Sequence, residues 1–311
     1  MDITLLRTFL EVAATGTFAA ASERLFVTQS AVSLRIQRLE ETLGQPLFTR
    51  SKAGAEMTPA GREFESYAQS MLKLWEEARQ QVAIPEGFSH SLVVGAQYSL
   101  WPRLGFRWMD AMQAAMPGLA LRAELGMPDR LTRFLVEGVI QCALTYTPQV
   151  RPGLEIEEVL QEELILVASW PEPTLDMEGR YIFVDWGPEF TQAHAIGLPG
   201  LKNTGMTLSL GALAADYIIH RRAAGYLPAR YAQHLIDAGR LHLVPDAPRF
   251  QNPVWAVWRG NLPQAIRDMG QKCLTSVAQD LAETQGELLQ NLSELSGNGC
   301  VETLGSPLVV N

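Results

Sequence analysis

The hydrophobic positions near the start of the chain follow the spacing of α-helices. Apolar residues recur every three or four positions between Ile3 and Ala13, which predicts a helix with one buried face. A short helix over 18–25 and a longer helix over 28–43 are predicted next, and the segment 46–50 is strand-like. This order predicts a winged helix-turn-helix, a scaffold that lays one helix in the DNA major groove.

The predicted helix over 28–43 has an inward and an open face. Thr28 suits the N-cap position, because its hydroxyl can accept hydrogen bonds from the free amides of the first turn. The residues expected to turn inward are Ala31, Leu34 or Ile36, and Leu39. The open face carries side chains that can read base edges, since Gln pairs with adenine, Ser donates or accepts, and Arg pairs with guanine. These are Gln29, Ser30, Ser33 and Arg35.

A long helix is predicted from Thr58 to Ile84, where Pro85 follows. Its apolar residues alternate steps of four and three, which is the heptad pattern of a helix that packs against a partner helix. This stripe and its flanking row supply the candidate dimerisation residues Phe64, Tyr67, Met71, Leu74, Trp75 and Ala78. The alternative is a helix that lies flat on its own domain.

From residue 87 onward, short apolar strands alternate with helices. Strands are predicted at 91–95, 119–125, 139–145, 155–169, 181–184, 206–208, 225–228, 241–244 and 254–258, and helices at 99–116, 128–136, 211–221 and 263–281. This alternation predicts an α/β fold with a largely parallel sheet. Trp170 and Pro171 mark a crossing into a second lobe, and the strand at 254–258 is expected to return to the first.

These elements predict the domain organisation. A winged helix-turn-helix at 1–58 is followed by a linker helix at 59–86 and a two-lobe α/β domain at 87–285. Lobe I is expected to comprise 87–169 and 253–285, and lobe II to comprise 170–252. Residues 286–311 turn polar after the last helix and are expected to form a flexible tail.

Composition and charge limit the class of protein. The 311 residues, of which 47% are hydrophobic, suit two or three domains with sizeable cores. No stretch approaches the roughly 18 apolar residues of a membrane span, and the start lacks the features of a signal peptide, so a cytoplasmic protein is expected.

The net charge is −9, although residues 1–62 hold seven Lys/Arg against six Asp/Glu. Affinity for DNA must therefore come from a local basic face and from several such domains acting together. That face comprises Arg24, Arg35, Arg38, Arg50 and Lys52.

Several fixed spacings resemble the amino-terminal domain of LysR-type transcriptional regulators. They are Leu6-x-x-Phe9, Gly16-x-Phe18-x-x-Ala21, Thr28-Gln29-Ser30-Ala31-Val32-Ser33, Leu39-Glu40, Leu47-Phe48-x-Arg50 and Thr58-Pro59-Ala60-Gly61. The resemblance implies base and phosphate contacts at Gln29, Ser33 and Arg50, with Thr28 and Ser30 beside them. With the basic face, the candidate DNA-binding residues are Thr28, Gln29, Ser30, Ser33, Arg35, Arg38 and Arg50. The chain departs from many members at Leu34 and Arg35, where they carry Arg followed by Gln. It also departs at Ala53, where many members carry a second basic residue in the wing.

The resemblance also implies how the rest of the chain is organised. In this family the linker helix pairs two subunits, and the effector domain is shaped like a periplasmic binding protein. A homotetramer, built as a dimer of dimers on an interrupted palindromic operator, is therefore expected. Ser99-Leu100-Trp101 and the segment 186–190 resemble the branch of the family that contains the flagellar-operon repressor HdfR.

An effector crevice is expected where the strands of the two lobes end, because ligands of open α/β sheets bind outside the carboxyl ends of the strands. The candidate effector-binding residues are Gln97, Tyr98, Ser99, Trp101, Met127, Pro128, Thr145, Tyr146, Thr204 and Tyr226. The aromatic character of this set favours an aromatic or hydrophobic acid over a sugar, with its carboxylate at the amides of 97–99. The alternative is that these residues only cap helices and fill the interface between the lobes.

Catalytic or metal-binding motifs are not found in the sequence. The five histidines form no ligand pair at metal-binding spacing, and GxGxxG, Walker and GxSxG motifs are absent. No cofactor and no metal are therefore expected. Cys142, Cys273 and Cys300 lie far apart and are interpreted as ordinary thiols, with a redox switch as the alternative.

Three classes of function remain. The first is a DNA-binding regulator whose α/β domain senses a small molecule. The second is an enzyme that uses the two-lobe crevice, and the third is an architectural DNA-binding protein. The first is favoured, because an architectural protein needs no crevice and no pair of nucleophile and base is found. The expected partners are double-stranded DNA, a small-molecule effector, further copies of the chain and RNA polymerase, but no membrane.

Overall fold

A computed structural model describes residues 2–51, 54–177, 179–201, 205–295 and 303–304 of the chain. These residues form two compact units. The first contains residues 1–84, and the second contains nearly all of the remainder from Pro85 onward. Each unit has its own hydrophobic core.

The first unit is a winged helix-turn-helix followed by a long helix, as predicted. Its elements are α1 (Ile3–Thr15), α2 (Phe18–Leu25), α3 (Gln29–Leu43), β1 (Phe48–Ser51), β2 (Gly54–Met57) and α4 (Pro59–Val82). The caps explain the boundaries, because Asp2, Thr17 and Thr28 each accept a hydrogen bond from the first turn of the helix that follows. Gly16 and Gly44 end α1 and α3 in the left-handed conformation.

The inward face of α3 agrees with the prediction at Leu39 and at Ile36, one of two alternatives given, and adds Val32. Its buried residues are Val32, Ile36 and Leu39, while Leu34 is 51% exposed. Ala31 is only half-buried. Since buried positions on a helix recur every three or four residues, burial of Val32 and Ile36 turns Leu34 outward.

One face of α4 packs on its own domain. Phe64, Ala68, Leu72 and Glu76 are buried, and the Phe64 ring lies 5.2 Å from that of Phe9 on α1. The predicted placement of Phe64 in a dimerisation seam is therefore wrong, because the core of the first unit already contains this side chain. Tyr67, Leu74, Trp75 and Ala78 are exposed, and Met71 is half-buried.

The second unit is an α/β domain of two lobes. Lobe I begins with β3 (His90–Ala96), a 3-10 turn (Tyr98–Leu100), a π-turn (Trp101–Gly105), α5 (Phe106–Ala115), β4 (Leu119–Leu125), α6 (Pro128–Glu137) and β5 (Cys142–Thr145). The crossing strand β6 (Leu154–Ala168) leads to lobe II, which contains β7 (Phe183–Val184), α7 (Pro188–Gly197), a 3-10 turn (Pro199–Leu201), β8 (Thr207–Leu208), a 3-10 turn (Gly211–Leu213), α8 (Ala214–Arg221), β9 (Ala224–Pro228), α9 (Ala229–Asp237) and β10 (His242–Leu243). The returning strand β11 (Arg249–Arg259) is followed by α10 (Gln264–Leu295) and β12 (Thr303–Leu304).

The main sheet is mixed, so the prediction of a largely parallel sheet is wrong. Its strands lie in the order β10-β6-β11-β5-β3-β4, with β9 also on β6 and β12 on β11. β4 and β5 pair with β3 in parallel, as in a doubly wound fold, whereas β11 is antiparallel to both β5 and β6. The cause is that β6 and β11 are the two crossings between the lobes and run in opposite directions, which pairs Phe250 with Leu164 and Arg259 with Leu154.

Two helix boundaries also differ from the predictions. The helix expected at 99–116 starts as a 3-10 turn and a π-turn before α5 begins at Phe106. The helix α10 continues to Leu295, so the predicted flexible tail begins within it. The leucines at 281, 288, 292 and 295 continue the helical spacing of the sequence beyond residue 285, which explains the extension.

Candidate functional site

The N-terminus of α3 forms the first candidate site. The Thr28 hydroxyl accepts from the Ala31 amide at 3.2 Å and lies 3.0 Å from the Ser30 hydroxyl. This cap fixes the start of the helix, so that Thr28, Gln29 and Ser30 are all exposed. Ser33 is half-buried one turn later. These four side chains lie on an open surface where a DNA groove can reach them.

The structure separates the two arginines that were predicted on α3. Arg38 is exposed and makes no ion pair with any described residue. Arg35 is half-buried, and its guanidinium donates to the hydroxyl of the buried Thr8 on α1 at 3.4 Å. Arg35 lies on the inward flank of α3 and is tied to α1, so its predicted contact with DNA is not supported.

The wing is held to the helices by hydrogen bonds that its backbone amides donate. Glu40 on α3 accepts from the Leu47 amide at 2.7 Å and from the Phe48 amide at 3.2 Å. The Ala55 amide on β2 donates to the Gly16 carbonyl at 2.7 Å. Arg50 pairs with Ala55 in the ladder of β1 and β2, while its side chain lies outside the described part of the chain, as do Lys52 and Ala53.

A buried carboxylate that the sequence analysis did not single out joins α4 to α1. Glu76 is 1% exposed and forms ion pairs with Arg7 on α1 and with Arg79 one turn later on α4. Its two partners are about half exposed. The pair with Arg7 fixes α4 against the DNA-reading unit beyond the hydrophobic contacts of Phe64 and Ala68.

A cavity of about 670 Å³ between the two lobes forms the second candidate site. Its lobe I wall includes six of the ten predicted effector residues: Gln97, Tyr98, Ser99, Met127, Pro128 and Tyr146. Its lobe II wall comprises Asp185 to Phe190 and Ser209 to Gly211. Its floor comes from the crossing strands, with Gln161 on β6 and Gln251, Asn252, Pro253 and Trp255 on β11. A smaller cavity of about 390 Å³ touches lobe II only.

Three other predicted effector residues, Trp101, Thr145 and Tyr226, do not line this cavity. Thr145 is buried and donates to the Gln97 side chain at 2.8 Å, so it positions a lining residue. Trp101 is buried in lobe I against Phe106, with 5.5 Å between ring centroids. Tyr226 is fully buried and donates from its hydroxyl to the Pro248 carbonyl at 2.9 Å. The predicted contacts of Thr145, Trp101 and Tyr226 with the effector are therefore wrong, since all three side chains are buried against other parts of the protein. Thr204 lies outside the described residues.

The side-chain oxygens of Gln97 and Ser99, at the predicted carboxylate site, accept hydrogen bonds within the protein. The Gln97 Oε1 atom accepts from the Thr145 hydroxyl and from the Tyr146 amide, both at 2.8 Å. The Ser99 hydroxyl oxygen accepts from the Ala212 amide of lobe II at 2.8 Å. The Ser99 bond therefore joins the two lobes at the edge of the cavity.

A buried ionic network lies behind the Tyr146 wall. The Tyr146 hydroxyl donates to Glu162 at 2.6 Å, and Glu162 forms an ion pair with Arg230 on α9. Burial, and then the charge of Glu162, raise the pKa of Tyr146 well above its usual value, so the hydroxyl remains a donor. The network connects lobe I to lobe II through β6, with both charged side chains less than 8% exposed.

The residues that the sequence analysis missed are those of the lobe II wall and of the floor, together with Asp129, Thr147, Pro148 and Gln149 of lobe I. Trp186 to Phe190 were noted only as a resemblance to one branch of the family. Gly187, with φ at +118°, and Pro188 at the first position of α7 are the signals of a tight strand-to-helix turn that could have identified this wall. Gln251, Asn252 and Trp255 carry no signal of this kind, because only the crossing of β11 brings them to the cavity.

Other chemistry is limited in the part of the chain that the structure describes. No group of three or more His, Cys, Asp or Glu side chains there could hold a metal ion. Cys142 and Cys273 are free and buried, while Cys300 lies outside the described residues. Among the described helices, none has the length and apolar character that a membrane crossing requires.

Two family models match the chain. Residues 3–62 match the model described as bacterial regulatory helix-turn-helix protein, lysR family, and residues 85–277 match the LysR substrate binding domain. The HTH-type transcriptional regulator HdfR of Escherichia coli O139:H28 (strain E24377A / ETEC) is 33% identical over 275 residues, which cover 86% of this chain and 96% of HdfR.

Solved structures share the fold. A full-length OxyR variant from Pseudomonas aeruginosa is 21% identical with a TM-score of 0.53, covering 88% of this chain and 98% of that one. ArgP from Mycobacterium tuberculosis is 23% identical with a TM-score of 0.52, covering 89% and 97%. Full-length LysG from Corynebacterium glutamicum, with bound effector Arg, is 19% identical with a TM-score of 0.52, covering 90% and 99%.

Proposed function

This chain belongs to the LysR family of DNA-binding transcriptional regulators with an effector-binding domain, and we propose how its own residues carry out that function. The outward surface at the start of α3 reads the operator, and a small molecule binds in the cavity between the lobes. The 670 Å³ cavity is the observation that supports the sensing role, since an architectural DNA-binding protein requires no such space.

In operator recognition, Gln29 and Ser33 contact bases, while Thr28, Ser30, Arg38 and Arg50 position α3 on the groove edge and on phosphates. Gln29 is exposed in the first turn of α3, which supports this assignment. Losing a bidentate base contact costs about 1–3 kcal/mol. Gln29→Ala should therefore weaken binding to a duplex selected from a random library, while binding to random duplexes stays unchanged. Gln45→Ala, after the end of α3, is the matched control, and equal losses on both duplexes would refute a base contact.

For assembly, the exposed apolar residues of α4 form the subunit interface, and two dimers form a tetramer. Tyr67, Leu74, Trp75 and Ala78 are exposed although three of them are large and apolar, which supports an unfilled contact. Tyr67→Glu with Leu74→Glu should reduce the mass measured by sedimentation and weaken operator binding. Ser66→Glu, on another face of α4, should do neither. An unchanged mass for the double variant would place the interface elsewhere.

In effector recognition, the body of the small molecule is aromatic or apolar. Tyr98, Tyr146, Trp186, Phe190 and Trp255 all line the cavity, and four prolines lie among them. A screen of metabolites for changes in operator binding and in thermal stability tests this assignment. Ser209→Trp should block the cavity and abolish the response to any active compound, while Ser209→Ala should retain it. A compound that acts equally on both variants would bind outside the cavity.

A further inference from the structure

The charge of the lining is the feature that distinguishes possible ligands. Asp129, Asp185 and Glu189 line the cavity, whereas no Lys, Arg or His does so among the described residues. All three carboxylates are exposed at the mouth of the cavity. A ligand carboxylate would therefore meet like charges and no cation, and a ligand ammonium group would meet three carboxylates.

The helix N-termini that face the cavity do not offset this charge. The residues at the starts of α6 and α7 line it, and a helix N-terminus ordinarily attracts anions. Each of these helices begins with a proline, which lacks an N–H group, and has its own acid at the second position, Asp129 in α6 and Glu189 in α7. The favourable end of each helix is therefore already matched by a carboxylate of the chain itself.

The side-chain oxygens of Gln97 and Ser99 are used within the protein, so they are not available to a ligand donor. The Gln97 Oε1 atom accepts two hydrogen bonds, and the Ser99 oxygen accepts from lobe II. Two buried donors without partners lie on the floor, the Asn252 Nδ2 and Trp255 Nε1 atoms. Asn252 is only 6% exposed and lines the cavity, so it needs an acceptor, which an uncharged ligand oxygen can supply.

We propose that the effector is an aromatic cation, with a protonated amine facing Asp185 and Glu189 and an uncharged oxygen acceptor facing Asn252 and Trp255. This inference rests on the proposed function, which assigns effector binding to the cavity. It replaces the aromatic or hydrophobic acid expected from the sequence, since the described lining offers three carboxylates and no cation to a ligand carboxylate.

Three probes that differ mainly in charge test the proposal. Tyramine is a cation, 2-(4-hydroxyphenyl)ethanol is neutral and 3-(4-hydroxyphenyl)propanoate is an anion, and all three carry the same hydroxyphenyl group. Calorimetry on the full-length protein at low ionic strength should show tyramine binding at least about tenfold more tightly than the propanoate, with the alcohol between them. Raising the ionic strength should reduce the ratio of the tyramine affinity to the propanoate affinity, because salt screens the charges.

Charge-neutralising variants locate the origin of the preference. Asp185→Asn with Glu189→Gln should reduce the ratio of the tyramine affinity to the propanoate affinity to about threefold or less. The reason is that the carboxylates that attract the cation and repel the anion are removed. The carboxamide oxygen introduced at position 185 can still accept from the Gly187 amide, as the Asp185 carboxylate does at 3.0 Å, so the local turn is kept. Asp237→Asn with Asp280→Asn removes the same charge from exposed sites that do not line the cavity and should leave the ratio unchanged.

The possible failures have different signatures. Tighter binding of the propanoate, abolished by Ser209→Trp, would overturn the charge class while leaving the cavity as the effector site. Binding that persists in Ser209→Trp, or no binding of any probe, would overturn the proposal together with the proposed aromatic ligand of the cavity. The proposal would also be overturned if the preference for tyramine over the propanoate were the same in the two double variants. Asp185 and Glu189 would then not be the cause of that preference.

Discussion

The ion pair between Glu162 and Arg230 gives a stability prediction whose size follows from its burial. Glu162 lies on the crossing strand β6 and Arg230 at the second position of α9, with side chains 7% and 3% exposed. Glu162 also accepts from the Tyr146 hydroxyl at 2.6 Å. The Arg230 Nε and Nη1 atoms are buried without partners, so Glu162 alone compensates that charge among the described contacts.

Removing only the carboxylate should therefore be costly. Glu162→Leu leaves a buried guanidinium without a counter-ion, and breaking a buried pair in this way costs about 3–5 kcal/mol. Adding Arg230→Met removes that charge and leaves chiefly the Tyr146 hydroxyl without its acceptor, which costs about 1–3 kcal/mol. The double variant should thus be more stable than the Glu162→Leu single variant, although it has lost more polar contacts.

Urea unfolding followed by tryptophan fluorescence measures these differences. Six of the seven tryptophans lie beyond Pro85, so the signal reports mainly on the second unit. Glu124→Gln is the control, because its partner Arg122 is 69% exposed and such a pair contributes at most about 1 kcal/mol. A loss below about 1 kcal/mol for Glu162→Leu, or a double variant less stable than that single variant, would refute the reasoning.

Three further predictions concern other parts of the molecule. If exposed Leu34 packs on a thymine methyl, replacing that thymine by deoxyuridine should weaken operator binding about fourfold in the wild type, but not in Leu34→Ala; equal losses would contradict the contact. Burial lowers the pKa of His194 to about 4, below the 6.5 of the unfolded chain, so stability should fall as the pH drops from 6.5 toward 4. Urea unfolding should show a loss of about 2 kcal/mol between pH 7 and 5 in the wild type and a smaller loss in His194→Phe; identical losses would contradict the assignment. A Cβ on Gly211, at φ +56°, would lie 2.5 Å from the Ser99 oxygen, so Gly211→Ala should separate the lobes and alter the effector response in operator-binding assays, whereas Gly200→Ala, with no atom within 4 Å, should not.

The elements of the fold could be predicted where local sequence determines them. Thr28 and Gly44 cap the two ends of α3, and capping depends only on neighbouring residues. Strand direction could not be predicted in the same way, because β6 and β11 are apolar runs whose sequences do not encode their partners. Their antiparallel pairing joins residues about 90 positions apart, such as Leu164 and Phe250, and follows from the double crossing between lobes.

The candidate effector site was predictable on one side only. In lobe I, β3 and β5 are clear apolar strands, so residues just after them, such as Gln97 and Tyr146, could be placed at the crevice. In lobe II, β7 and β8 lie within the strands predicted at 181–184 and 206–208 but have only two residues each, so the sequence does not show which residues after them reach the cavity. Trp186 and Ser209 were therefore not assigned to the cavity, although they lie shortly after those strands.

The linker helix shows why apolar spacing cannot identify a partner. The row containing Phe64, Ala68 and Leu72 faces the first unit, while Tyr67 and Leu74 are exposed. Both rows follow helical spacing and are interleaved in the sequence, so one continuous stripe was inferred where two faces exist. Glu76 shows which of the two rows is buried, because it continues the row of Phe64, Ala68 and Leu72 and forms an ion pair there with Arg7. A buried charge inside an apolar row indicates a fixed intramolecular neighbour, since a long-lived counter-ion is needed to offset its desolvation. The exposed row lacks such a buried charge between Tyr67 and Leu74, which supports the proposal that a second copy of the chain packs on this face.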